Sequence, residues 1–76
     1  MAGHTYKMME LVGSSDVSIE DAIQTAVSRA AQTIKHMDWF EVIQTRGEIE
    51  DGKIRWYQVT LKIGFRVLSE EELHAS

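Results

Sequence analysis

Residues 39–67 read WFEVIQTRGEIEDGKIRWYQVTLKIGFRV, and this stretch decides the fold. Apolar and polar side chains alternate from Trp39 to Gly47 and again from Ile54 to Val67, the period-two pattern of half-buried strands. Between them stands Glu50-Asp51-Gly52-Lys53. Asp-Gly between two alternating runs is a strong hairpin signal, because residues that tolerate positive φ favour the tight turn. If Asp51 and Gly52 form a two-residue turn, Val42 faces Leu61 and Phe40 faces Ile63. With Val59 and Phe65 these make one strongly apolar face. The same register sets Trp39 across from Gly64, Glu41 from Lys62 and Thr45 from Gln58. The other face then carries Trp39, Glu41, Ile43 and Thr45 from one strand. From its partner it carries Trp56, Gln58, Thr60, Lys62, Gly64 and Arg66. A bulge at Gly47 would shift the pairing beyond it by one residue.

Upstream, Tyr6 to Val12 alternates as well and reads as the first strand. Lys7, Met9 and Leu11 share one face; Tyr6, Met8, Glu10 and Val12 share the other. Gly13-Ser14-Ser15-Asp16 breaks the pattern. Ser18 is a good helix N-cap with Asp21 three residues on, a capping-box-like pair. Ala22, Ile23, Ala26, Val27, Ala30, Ile34 and Met37 then recur at helical steps and form one apolar stripe. Its alanines let the helix approach a sheet closely. Lys35 and His36 fall in the expected last turn, where a helix favours cations. The stripe must pack on the apolar face of the hairpin, because no other surface can cover it. A right-handed crossover makes strands one and two parallel, and strand three fits between them. The expected fold is α+β: a β-α-β-β chain with a three-stranded antiparallel sheet in order 1-3-2, one helix on one face and a bare second face. Residues 1–76 read as a single domain with an ordered core of about 5–68, and the tail from Ser69 reads as a frayed end.

Seventy-six residues without cysteine make a thin core that no disulfide supplements. Oligomerisation is the remaining common way to gain buried area. A net charge of -4 with interspersed signs leaves no basic stripe for nucleic acid. No apolar run approaches the length of a membrane span. The N-terminal MAGHTYK lacks a signal peptide's apolar stretch, so a cytoplasmic location is expected. His4, His36 and His74 are scattered, which argues against a metal site. No nucleophile-base order or glycine-rich phosphate loop is present, and Asp38 beside Trp39 is a lone carboxylate. The chain does not read as an enzyme.

The bare face is mixed in character. A wet sheet face should be polar, yet this one holds two tryptophans among Thr, Gln, Lys, Glu and Arg. Large aromatics beside convergent polar groups mark an interface or a ligand site. Trp39 therefore reads as a subunit contact, the commoner use of an exposed tryptophan, or as a ligand platform. Trp56, nearer the turn, leans further toward packing. Gln58 offers both donor and acceptor to a planar heterocycle, or it is a solvated strand residue. Arg46 and Arg66 suit phosphate, or pairing with Glu41, Glu48 or a neighbouring subunit.

Several segments make the pattern specific: Asp38-Trp39-Phe40-Glu41-Val42, Arg46-Gly47, Tyr57-Gln58-Val59 and Gly64-Phe65-Arg66. Together with Tyr6-Lys7, Glu10 to Ser15, Ala22-Ile23-Gln24 and Arg29-Ala30, the chain closely resembles the bacterial dodecins over residues 5 to 68. The resemblance implies a hollow, roughly spherical homododecamer that binds flavin at its two-fold axes. Two flavin rings stack there between symmetry-related tryptophans, for storage and photoprotection rather than catalysis. Carried over, Trp39 is the stacking residue and Gln58 hydrogen-bonds the ring edge, while Arg46 and Arg66 are available to phosphate or a neighbouring subunit. Bacterial members prefer flavin mononucleotide (FMN) to riboflavin or FAD. Some also bind coenzyme A near a three-fold axis, for which Lys7 and Arg29 are candidates here. The competing readings are a ligand-free assembly module and a flavin-dependent enzyme.

Overall fold

The computed structural model describes residues 3–74. Strand β1 spans Thr5–Ser15, helix α1 Ile19–Ala30, β2 Met37–Glu50, β3 Lys53–Val67 and a short helix α2 Glu70–His74. The three strands form one antiparallel sheet in order β1-β3-β2, as the hairpin and crossover required. The turn uses Asp51 and Gly52 at φ 52° and 74°. Both residues lie in the left-handed region that a type I′ turn demands.

Two expectations about helix and strand limits need correction. Gly13 does not end β1, which continues to Ser15. A Cβ on Gly13 would collide with the carbonyl oxygen of Ala22 and with the Ala26 side chain. The glycine is there to let α1 sit on the strand. The helix itself ends at Ala30, not near Met37. The Gln32 and Thr33 N–H groups turn to the carbonyls of Arg29 and Ala30, three residues back, at 3.1 Å each, so the turn tightens and the helix stops. His36 then takes φ 64° and reverses the chain, and Met37 opens β2. Ile34 and Met37 pack against the core all the same, which is why they fit the apolar stripe.

At its start α1 is held by serines. The Ser18 hydroxyl accepts from the Asp21 N–H at 3.0 Å. The Asp21 carboxylate does not complete the box; it accepts from the Ser15 hydroxyl at 2.6 Å. Ser15 Oγ in turn accepts from the Val17 N–H, which satisfies this buried hydroxyl while it fixes the β1–α1 corner.

The core comprises Ala22, Ala26 and Ala30 against Val59, Leu61 and Ile63. The helix lies over β1 and β3 and stops short of β2. Phe40 and Val42, expected beneath it, remain 50% and 42% exposed. A shallow apolar recess of about 160 Å³ marks the step, lined by Val27, Met37, Asp38, Trp39, Phe40 and Ile63. The chain measures 56 × 20 × 13 Å with a radius of gyration of 16.0 Å. A compact domain of this length would have about 11 Å. The hairpin thus extends beyond its own core, and Ile49 and Ile54 face each other, exposed, near its tip.

Candidate functional site on the open sheet face

The face away from α1 is organised at two ends. At one end Trp39 lies opposite Gly64, as the alternation predicts. Its indole rests directly on the glycine: a Cβ there would fall inside the ring. Tyr6, paired with Arg66 across β1 and β3, meets the indole edge-on with ring centroids 4.8 Å apart. Trp39 remains 41% exposed. A flat aromatic surface, braced below and at one side, is therefore offered outward. Tyr6 is part of this platform although the hairpin pattern alone does not include it. Its signal is the β1 alternation, read once β1 is paired with β3.

At the other end the register differs from expectation. Phe40 to Val42 pair as predicted, but from Gln44 to Glu48 every partner is displaced by one. The extra residue is Ile43, not Gly47. A compensating irregularity between Glu48 and Ile49 restores the original register before the turn. The consequence is chemical. Thr45 now faces Val59, and Arg46 faces Gln58. Arg46 thus joins the open face, where the simple alternation had placed Thr45. Its Nε donates to Gln58 Oε1 at 2.8 Å. That bond engages the amide oxygen and orients the side-chain amide.

The two ends do not meet within one chain. Gln58 and Gly64 are six residues apart on β3, or roughly 20 Å at about 3.4 Å per residue. The Gln58 side chain therefore does not touch the Trp39 indole, which lies over Gly64 of the same copy. Arg66 stays near Trp39, through Tyr6, and its Nη2 pairs with Glu72 Oε2 at 2.8 Å. Its Nε is shielded from solvent without a hydrogen-bond partner among the described residues. Glu72 belongs to the tail that read as frayed; Ser69 caps α2 there instead. Hydrogen bonding from Ser69 and the Arg66 guanidinium, with His4 nearby, hold the Glu72 carboxyl below its ordinary range despite partial desolvation.

Away from this face, Arg29 lines a groove of about 420 Å³ between β1 and α1 with Thr25 and Thr33. Lys7 is not part of that lining; it lies opposite Phe65. Among the described residues no three His, Cys, Asp or Glu side chains converge. No described helix is long and apolar enough to cross a membrane.

The dodecin family model matches residues 5–68. A curated dodecin from Thermus thermophilus is 49% identical over 65 residues, which cover 86% of this chain and 94% of that protein. The chain belongs to the dodecin family. Solved dodecin structures agree in fold. The one from Streptomyces coelicolor superposes with a TM-score of 0.85 at 48% identity, covering 92% of this chain and all of that one. The dodecin from Streptomyces davaonensis gives 0.84 at 43%, covering 90% and 100%. Against the dodecin match, the Trp39 platform and the Arg46–Gln58 pair lie inside the matched span, whereas Ser69 to His74 lie beyond it.

Proposed function

We propose that the chain is a flavin-binding storage and photoprotection protein, with no catalytic role, in which Trp39 stacks the ring system. The observation that carries this reading is the exposed Trp39 indole seated on Gly64 and braced by Tyr6. A ring stacked on such a surface gains about 1–3 kcal/mol, by analogy with nucleobase stacking.

Assembly follows from the same geometry. Since Gln58 lies roughly 20 Å from Gly64 along β3, a ring on Trp39 takes its edge hydrogen bonds from Gln58 of another copy. The site is therefore composite and forms only when chains associate. The extended shape, the bare sheet face and the exposed Phe40 and Val42 all call for partner copies. The assembly that suits the family is a homododecamer with flavins at its two-fold axes, in the cytoplasm.

Each residue has a task. Trp39 excludes water from one ring face and, as a good electron donor, quenches the photoexcited ring. Gln58 donates its amide N–H to a ring carbonyl, and Arg46 holds that amide in position. Arg66 attracts the phosphate of FMN, the favoured flavin. Coenzyme A is a second proposed ligand, with Arg29 and its threonine-lined groove as the receiving element and Lys7 outside it.

The test is the absorption spectrum of the purified protein, with added FMN if none is retained. A red-shifted flavin band with lost fluorescence supports the reading. A flavin spectrum unchanged by protein contradicts it and favours a ligand-free assembly module. Sustained turnover of a reductant would instead point to an enzyme.

A further inference from the structure

The residues beyond the family match build a structure of their own. Ser69 and Glu72 cap each other: the Ser69 N–H donates to Glu72 Oε1 at 2.9 Å, and the Glu72 N–H donates to Ser69 Oγ at 3.1 Å. This reciprocal pair fixes the Glu72 carboxylate before any ligand arrives. Its second oxygen, Oε2, sits 2.8 Å from Arg66 Nη2. Arg66 is opposite Tyr6, and Tyr6 abuts Trp39. A carboxylate is therefore fastened to the cation that borders the aromatic platform.

We propose that Glu72 is a built-in competitor for Arg66 and so sets how strongly the site favours a phosphorylated flavin over an uncharged one. The proposal rests on the flavin reading of the Trp39 face. A phosphate approaching Arg66 must displace the carboxylate or share the guanidinium with it. Sharing sets two anions against one cation, and displacement breaks the ion pair. The Arg66 side chain stays one-third exposed beside Glu72, so a phosphate can approach the guanidinium before the carboxylate leaves. An uncharged flavin makes no demand on Arg66 and is indifferent to Glu72. The tail thereby lowers selectivity for phosphate without touching the ring.

The experiment titrates FMN and riboflavin into the full-length protein, Glu72→Gln and Glu70→Gln, following flavin fluorescence. Glu70 is an exposed carboxylate of the same turn. Exposed ion pairs are weak, so Glu72→Gln is expected to tighten FMN about threefold to fivefold. Riboflavin affinity should stay within about twofold, and Glu70→Gln should move neither flavin. Equal shifts for both flavins, no shift for FMN, or an equal effect from Glu70→Gln would each overturn the proposal. If the unaltered protein binds neither flavin, the parent reading fails and the proposal falls with it. That pattern differs visibly from flavin binding with an unmoved ratio.

Discussion

The indole of Trp39 lies on the bare backbone of Gly64, so the glycine acts as the seat of the aromatic platform. The constraint there is space rather than backbone conformation. Gly64→Ala puts a methyl group where the ring now sits. The indole must tilt away, and the stacking surface is lost. FMN affinity is expected to fall about tenfold or more, since stacking is worth about 1–3 kcal/mol. Fluorescence titration measures the loss, and circular dichroism should show the sheet retained.

Gly13 makes the opposite case. Its missing side chain admits α1, not a ligand, and a Cβ would strike the Ala22 carbonyl. Gly13→Ala should cost about 1–3 kcal/mol of stability through overpacking. Thermal unfolding at fixed protein concentration measures this. Any change in flavin affinity should follow loss of assembly, because the substitution lies on the face away from Trp39.

Arg46 is expected to act through Gln58, whose amide oxygen it holds. Arg46→Ala should weaken FMN binding by about 1 kcal/mol, the usual value of one hydrogen bond. The decisive comparison is a double-variant cycle. If Arg46 only orients the amide, Arg46→Ala adds nothing once Gln58→Ala is present. Additive losses would mean that Arg46 touches the ligand itself.

The tail should respond to acid. The Glu72 carboxyl is held below the ordinary glutamate value of 4.5, first by hydrogen bonding from Ser69 and then by Arg66 and His4. A depressed folded-state pKa gives stabilisation that is present above 4.5 and lost as pH falls through the folded value. The Ser69 amide resonance should therefore hold steady from neutral pH to about 5 and move below 4.5, as Glu72 protonates and the cap opens. A resonance that moves above pH 5 would mean the carboxyl is not so held.

Much of this was legible in the sequence, for physical reasons. Strand alternation and Asp51-Gly52 set the hairpin, and Trp39 opposite Gly64 follows from the same count. What pattern could not show was the bulge at Ile43. A β-branched residue in an alternating run looks like any other strand position, and only the three-dimensional pairing exposes the extra residue. That one residue moved Arg46 onto the open face. Gly13 looked like a breaker because a glycine that ends a strand and one that admits a helix read alike. The early end of α1 was hidden because Ile34 and Met37 keep the helical spacing while packing from a turn and a strand. The Ser69–Glu72 cap was visible as a Ser-x-x-Glu motif, but the acidic, polar tail around it resembled a frayed end.

The most direct test of the central claim is a stoichiometric titration of FMN fluorescence against the protein and against Trp39→Ala. Two rings held between two tryptophans predict quenching that saturates at one flavin per chain. Trp39→Ala should weaken binding about tenfold or more, in line with the 1–3 kcal/mol of a stacking contact. The flavin that still binds should recover much of its fluorescence. Quenching and affinity unchanged by Trp39→Ala, or no saturable quenching by the intact protein, would contradict the account.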